Sequence, residues 1–92
     1  MPIEFGQPPQ RILIVKPSAI GDIVHTLPVL NLLRKRFPAA HIAWLVTPTC
    51  RGILDGHPQL NEIIPFERKR WTRSLALMKT LRRGKFDLVL DL

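Results

Sequence analysis

The stretch "RILIVKPSAIGDIVHTLPVLNLLRKRFP", Arg11 to Pro38, decides how this chain folds. It opens on "RILIVK", a short apolar run rich in β-branched side chains, which is the composition of a strand buried on both faces of a parallel sheet. Behind it comes "KPSAIGDIVHTLP", with one glycine, one acid and one histidine, which reads either as a turn or as a site. Ile23, Leu27, Leu30 and Leu33 or Leu32 then recur at helical spacing. Arg34, Lys35 and Arg36 fall in the last turn, where cations complement the helix dipole, and Pro38 ends the element. Pro28 is the difficulty, because a proline well inside a helix costs about 3 kcal/mol. The spacing therefore predicts a main helix capped by Thr26, with Pro28 in its first turn and residues 21–25 as a separate helical turn leading in.

Outward from this stretch, "HIAWLVT" (41–47), "NEIIPF" (61–66) and "FDLVLDL" (86–92) are further strands, the second weakened by Pro65 near its end. A short helix or turn is expected over 50–56. "RWTRSLALMKTLRR" (70–83) is expected to be a third helix that Gly84 stops. Strands alternating with helices through short connections imply right-handed crossovers, hence an α/β fold built on a Rossmann-like parallel open sheet. Ligands bind at the carboxyl ends of the strands in such sheets, and Lys16 ends the first strand.

A length of 92 residues and a hydrophobic content of 46% fit one small globular domain. Residues 1–10, "MPIEFGQPPQ", have neither a basic n-region nor a long apolar core, so they read as a flexible N-terminal tail and not as a targeting peptide. Uncharged stretches such as Ile23 to Leu33 fall short of the roughly 20 apolar residues that cross a bilayer. Cys50 stands alone, so no intrachain disulfide or zinc site is expected, and a cytoplasmic location is the default. The net charge of +7 is unevenly spread: eight of the fourteen basic residues lie between Arg68 and Lys85, a basic face suited to an anionic partner or simply to solvent.

The loop after the first strand lacks GxGxxG and GxxxxGK[ST], which argues against a dinucleotide enzyme or a P-loop ATPase. Asp22, at a helix N-terminus, first fits a cap that accepts a backbone N–H, and the same geometry also suits a general base within reach of a substrate hydroxyl. Lys16 fits a phosphate contact or a stem lying over the sheet edge. Ser18 fits a ligand contact or a local loop bond. His25, on an element packed near the sheet, reads as a structural histidine.

The string K-x-S-x-x-G-D-x-x-H-x-L-P, together with the strands at 41–47 and 86–92, resembles the N-terminal domain of glycosyltransferase family 9, the ADP-heptose:lipopolysaccharide heptosyltransferases. The resemblance runs from about Arg11 to Leu92. It implies a GT-B architecture in which 11–92 are part of the Rossmann-like, acceptor-side domain and the C-terminal donor-binding domain is absent from this sequence. It further implies inverting transfer of heptose from ADP-heptose to the lipopolysaccharide inner core, with no metal and no cofactor. Asp22 falls on the family's general base. Lys16, Ser18 and Gly21 fall on its loop string, where contacts to substrate are implied. Arg68, Lys69, Arg70 and Arg73 fall in the region that reaches toward the acceptor, whose Kdo carboxylates and lipid A phosphates suit arginine's planar fork. Expected partners are the ADP-heptose donor, a Kdo-lipid A or inner-core acceptor, and peripheral contact with the cytoplasmic face of the inner membrane; no nucleic acid is expected. The alternative is a non-catalytic module that binds anionic glycan, lipid or nucleic acid through its basic face.

Overall fold

The computed structural model describes residues 8–66, 79 and 82–92. Its elements are β1 (Arg11–Val15), α1 (Ile20–Arg36), β2 (His41–Val46), a 3-10 helix (Pro48–Ile53), β3 (Glu62–Pro65) and β4 (Leu88–Asp91). The four strands form one sheet in the order β3-β2-β1-β4, and every pairing is parallel. Ile14 pairs with Trp44 on one side and with Leu90 on the other. The α/β, Rossmann-like parallel sheet read from the sequence is what the chain forms. Pro65 closes β3, an edge strand, where a missing N–H leaves no ladder bond unmade.

Side chains alternate across the strands, so each strand feeds two layers. On one face Ile12, Ile14, Ile42, Trp44 and Val46 pack beneath Ile23, Leu30 and Leu33 of α1, together with Phe37, Cys50 and Leu54. On the other face lie Leu13, Ala43, Leu45 and Ile64. Full burial of an Ile or Leu contributes about 1.5–3 kcal/mol, so the central pair β1 and β2 carries most of the hydrophobic stabilisation. Of the alternative helix positions, Leu33 is buried, whereas Leu32 is 65% exposed. β2 and β3 lie to one side of β1 and β4 to the other, which puts the reversal of strand order between β1 and β4.

α1 corrects the expectation of two pieces. It runs unbroken through Pro28, beginning with the Ile23 N–H donating to the Ala19 carbonyl at 2.9 Å. Pro28 can give no N–H to Val24, but Val24 is 48% exposed, so its residue sits where water can reach the helix. Thr26 is interior to the helix and does not cap it. At the other end Arg34 does more than face the dipole. Its guanidinium donates to the carbonyls of Ala40 at 2.7 Å and Gln59 at 2.8 Å and to Asn61 Oδ1 at 2.6 Å, tying α1 to the turn before β3.

The expected tail is held at its inner end. Pro9 is buried, and the Gln10 carbonyl accepts the His41 N–H at 2.8 Å. The Asp87 carboxylate accepts the N–H groups of Gln10 and Arg11, both at 2.9 Å. The Gln10 bond above all holds its pKa below the ordinary carboxylate value, against a smaller opposing effect of desolvation. Residues 1–7 lie outside the described residues. So does most of the third predicted helix; of its span, Lys79, Arg82 and Arg83 are helical. Gly84 does not supply a left-handed stop, which falls instead on Lys85 at φ 49°. Gly84 is needed for space, because the Phe86 ring occupies the position a Cβ would take. Among the described residues no helix is long and apolar enough to cross a membrane.

Candidate active site

The candidate site is built on the loop 16–19 that carries the chain from β1 into α1. Three bonds hold it. The Trp44 indole N–H donates to the Lys16 carbonyl at 3.0 Å, and the Thr47 N–H donates to the Pro17 carbonyl at 2.9 Å. The Lys16 ammonium crosses to the end of β4 and donates to the Leu92 carbonyl at 2.9 Å. Lys16 thus bridges β1 and β4 at their carboxyl ends, where the strand order reverses and where open α/β sheets bind ligands. The Ser18–Ala19 peptide bond is cis.

Asp22 stands in the first turn of α1, on its exposed side. The Ala19 N–H donates to its Oδ2 at 3.4 Å, a long and weak bond. Ala19 has no side-chain acceptor to return, so only half of a capping box exists here. Oδ1 accepts no hydrogen bond among the described residues. The carboxylate is therefore held loosely enough by the cap to meet an incoming hydroxyl. Ser18 makes no hydrogen bond among the described residues, which leaves the local loop bond considered above without support. Gly21 is exposed, and a Cβ there would meet nothing within 4 Å, so the fold itself does not require glycine at this position.

His25 departs from expectation. It lies on the exposed side of α1, three residues after Asp22, and it is not packed against the sheet. Arg68, Lys69, Arg70 and Arg73 lie outside the described residues. Phe66, the last described residue before them, lies just beyond β3, where its N–H donates to the Val46 carbonyl at 2.8 Å. Among the described residues no three His, Cys, Asp or Glu side chains are grouped to hold a metal ion. Reading the sequence missed the supports of the loop, Trp44 and Thr47, and the hydroxyl of Thr26. A tryptophan in an otherwise aliphatic strand was the available signal, because a buried indole N–H needs an acceptor.

No family model matches the chain. The lipopolysaccharide core heptosyltransferase OpsX of Haemophilus influenzae is 32% identical over 93 residues, covering 100% of this chain and 26% of that protein. The lipopolysaccharide heptosyltransferase 1 of Pseudomonas aeruginosa is 33% identical over 88% of this chain and 26% of its own length. The chain belongs to the heptosyltransferase family, glycosyltransferase family 9. Solved members agree with that assignment in three dimensions. The Escherichia coli heptosyltransferase WaaC with ADP superposes with a TM-score of 0.71 at 33% identity, over 88% of this chain and 27% of that one. A family 9 glycosyltransferase from Veillonella parvula gives a TM-score of 0.76 at 26% identity, over 90% of this chain and 26% of that one. The chain thus spans about a quarter of the length of the heptosyltransferases it matches, and it matches them with the β1–α1 loop included.

Proposed function

We propose that this chain is the acceptor-side, N-terminal part of an inverting heptosyltransferase that moves heptose from ADP-heptose to the lipopolysaccharide inner core, with Asp22 as general base. The observation that carries the reading is the setting of Asp22: exposed, in the first turn of a helix at the carboxyl edge of a parallel sheet, with one carboxylate oxygen unengaged among the described residues. An acceptor hydroxyl that hydrogen-bonds to Asp22 gives up its proton to the carboxylate as its oxygen bonds to the anomeric carbon. The C1–O bond breaks on the opposite face, and its electron pair leaves with ADP. Lys16, Ser18 and Gly21 line the approach to that carboxylate. Gly21, with open space over its Cα, allows a sugar ring to come close to the helix backbone. Arg68, Lys69, Arg70 and Arg73 supply cations for the acceptor's carboxylates and phosphates. ADP-heptose is held mostly by a second domain beyond this sequence, and the protein works at the cytoplasmic face of the inner membrane.

The test is direct transfer. A full-length protein carrying this chain, given ADP-heptose and Kdo-lipid A, is expected to release ADP in step with heptosylated lipid and to invert the anomeric configuration. Release of ADP at the same rate without acceptor, or no transfer to any inner-core acceptor, would overturn the proposal.

A further inference from the structure

Thr26 is the one buried polar residue among the described residues, 8% exposed, and its hydroxyl donates to the backbone carbonyl of Asp22 at 2.7 Å. The bond has the ordinary length of one from a hydroxyl donor, and it runs from a buried side chain to the backbone of the residue that carries the exposed carboxylate. Its place in the helix gives it weight. The first turn has no intrahelical acceptors for its leading N–H groups, and Pro28 removes the ladder bond to Val24. The backbone between 19 and 28 thus lacks the ladder bond at Pro28, and the Thr26 hydroxyl adds a bond inside it.

We infer that Thr26 is a positioning residue for the transfer reaction: by bonding the Asp22 carbonyl from a buried position it fixes the backbone of the first turn of α1, and with it the direction in which the Asp22 carboxylate points. The inference rests on the catalytic reading of Asp22. A plain structural role is the competing account, in which the hydroxyl merely satisfies itself on the nearest carbonyl, as buried threonines in helices do. The two differ in what removal of the hydroxyl does. On the structural account, an isosteric apolar side chain leaves a carbonyl that still has its ladder N–H, and catalysis is untouched. On the positioning account the carboxylate drifts, and displacements well under 1 Å at a reacting group already slow the chemistry.

The experiment compares Thr26→Val, Thr26→Ser and Asp22→Asn in the full-length protein, with ADP binding and circular dichroism confirming that each is folded. Thr26→Val is expected to lower kcat roughly tenfold with KM for donor and acceptor within twofold of the parent, while Thr26→Ser keeps kcat within twofold. Unchanged kcat in Thr26→Val, a loss confined to KM, or an equal loss in Thr26→Ser would overturn the assignment. Should Thr26→Val fail to fold, Thr26→Ala answers the same question by the same split between kcat and KM. Asp22→Asn separates the two levels of failure. If it abolishes turnover while Thr26→Val does not alter it, only the role of Thr26 falls; if Asp22→Asn itself turns over normally, the catalytic reading falls and this inference with it.

Discussion

Trp44 lies on β2 and Lys16 directly follows the neighbouring strand β1, and the indole N–H of the first donates to the carbonyl of the second at 3.0 Å. Trp44 is fully buried, so a side chain in the middle of the core sets the position of the loop at the sheet edge. Packing and site geometry are coupled through that bond. The Thr47 N–H to Pro17 carbonyl bond, one residue beyond β2, fixes the next link of the same loop.

Trp44→Phe tests the coupling. Phenylalanine keeps an aromatic ring in the core but cannot donate to Lys16, and it leaves part of the indole volume empty. The loss is expected to be ~1–3 kcal/mol by chemical denaturation, the range for a buried acceptor left without its donor. Transfer activity should fall as well, since the Lys16 carbonyl is free to move. A variant as stable and as active as the parent would show that the bond does not hold the loop.

Gly21→Ala should separate stability from function. The residue is helical, its φ is not in the left-handed region, and an added Cβ meets nothing within 4 Å. Alanine is favoured over glycine in helices by up to about 1 kcal/mol, so the melting temperature should rise. If an acceptor sugar approaches the helix backbone here, the same methyl should raise the acceptor KM severalfold. A stabilised variant with unchanged acceptor kinetics would show that nothing approaches this surface.

How far the sequence could be read follows from where its signals lie. The strands at 11–16, 41–47 and 86–92 stood out because apolar, β-branched runs between turn residues are a local signal, and they fell within two residues of the observed limits at each end. Pro28 misled the reading. The rule against internal prolines weighs one lost bond, while the packing of Ile23, Leu30 and Leu33 on the sheet holds the helix together across it. The left-handed residue was expected at Gly84 and falls at Lys85, while Gly84 is called for by the Phe86 ring two residues on, whose placement over the chain only the fold defines. Asp22 could be singled out from its motif. Thr26 and Trp44 could not be given their roles, since each acts on a backbone carbonyl whose position only the folded chain defines.

Asp87 predicts an acid-sensitive joint at the opposite edge of the sheet. Its carboxylate accepts the N–H groups of Gln10 and Arg11, and its pKa in the folded chain lies below the ordinary 3.8. A depressed folded pKa contributes stability that is fully present above the unfolded value and is lost as pH falls through the folded one. Asp87→Asn should therefore lower stability near neutral pH and flatten its decline below about pH 4. Denaturation curves at pH 6 and pH 3 check this. An equally steep acid decline in the variant would place the sensitivity elsewhere.

The cations of the stretch 68–73 give a kinetic prediction. Replacing Arg68, Lys69, Arg70 and Arg73 with glutamine in the full-length protein should raise the acceptor KM, in a manner that added salt reproduces in the parent, and should leave donor affinity nearly unchanged. Salt screens exposed pairs over about 10 Å at 0.1 M, so the two effects should not add. Weaker ADP-heptose binding with normal acceptor kinetics would reassign the stretch to the donor.

Asp22→Asn decides whether the loop "KPSAIGDIVHTLP" is a site or a turn. As a general base Asp22 should contribute about 10²- to 10⁴-fold to the rate. As a cap it would contribute about 1 kcal/mol, and the 3.4 Å separation from the Ala19 N–H argues for less. Asparagine retains an oxygen that can accept that bond but cannot take up a proton at neutral pH. The variant is accordingly expected to melt near the parent's temperature, to bind ADP-heptose and acceptor with ordinary affinity, and to transfer heptose at least about 100-fold more slowly. Added small carboxylates such as formate should restore part of the rate in Asp22→Gly, whose truncated side chain leaves the position open in an exposed first turn. Turnover near the parent's would leave Asp22 as a cap and nothing more.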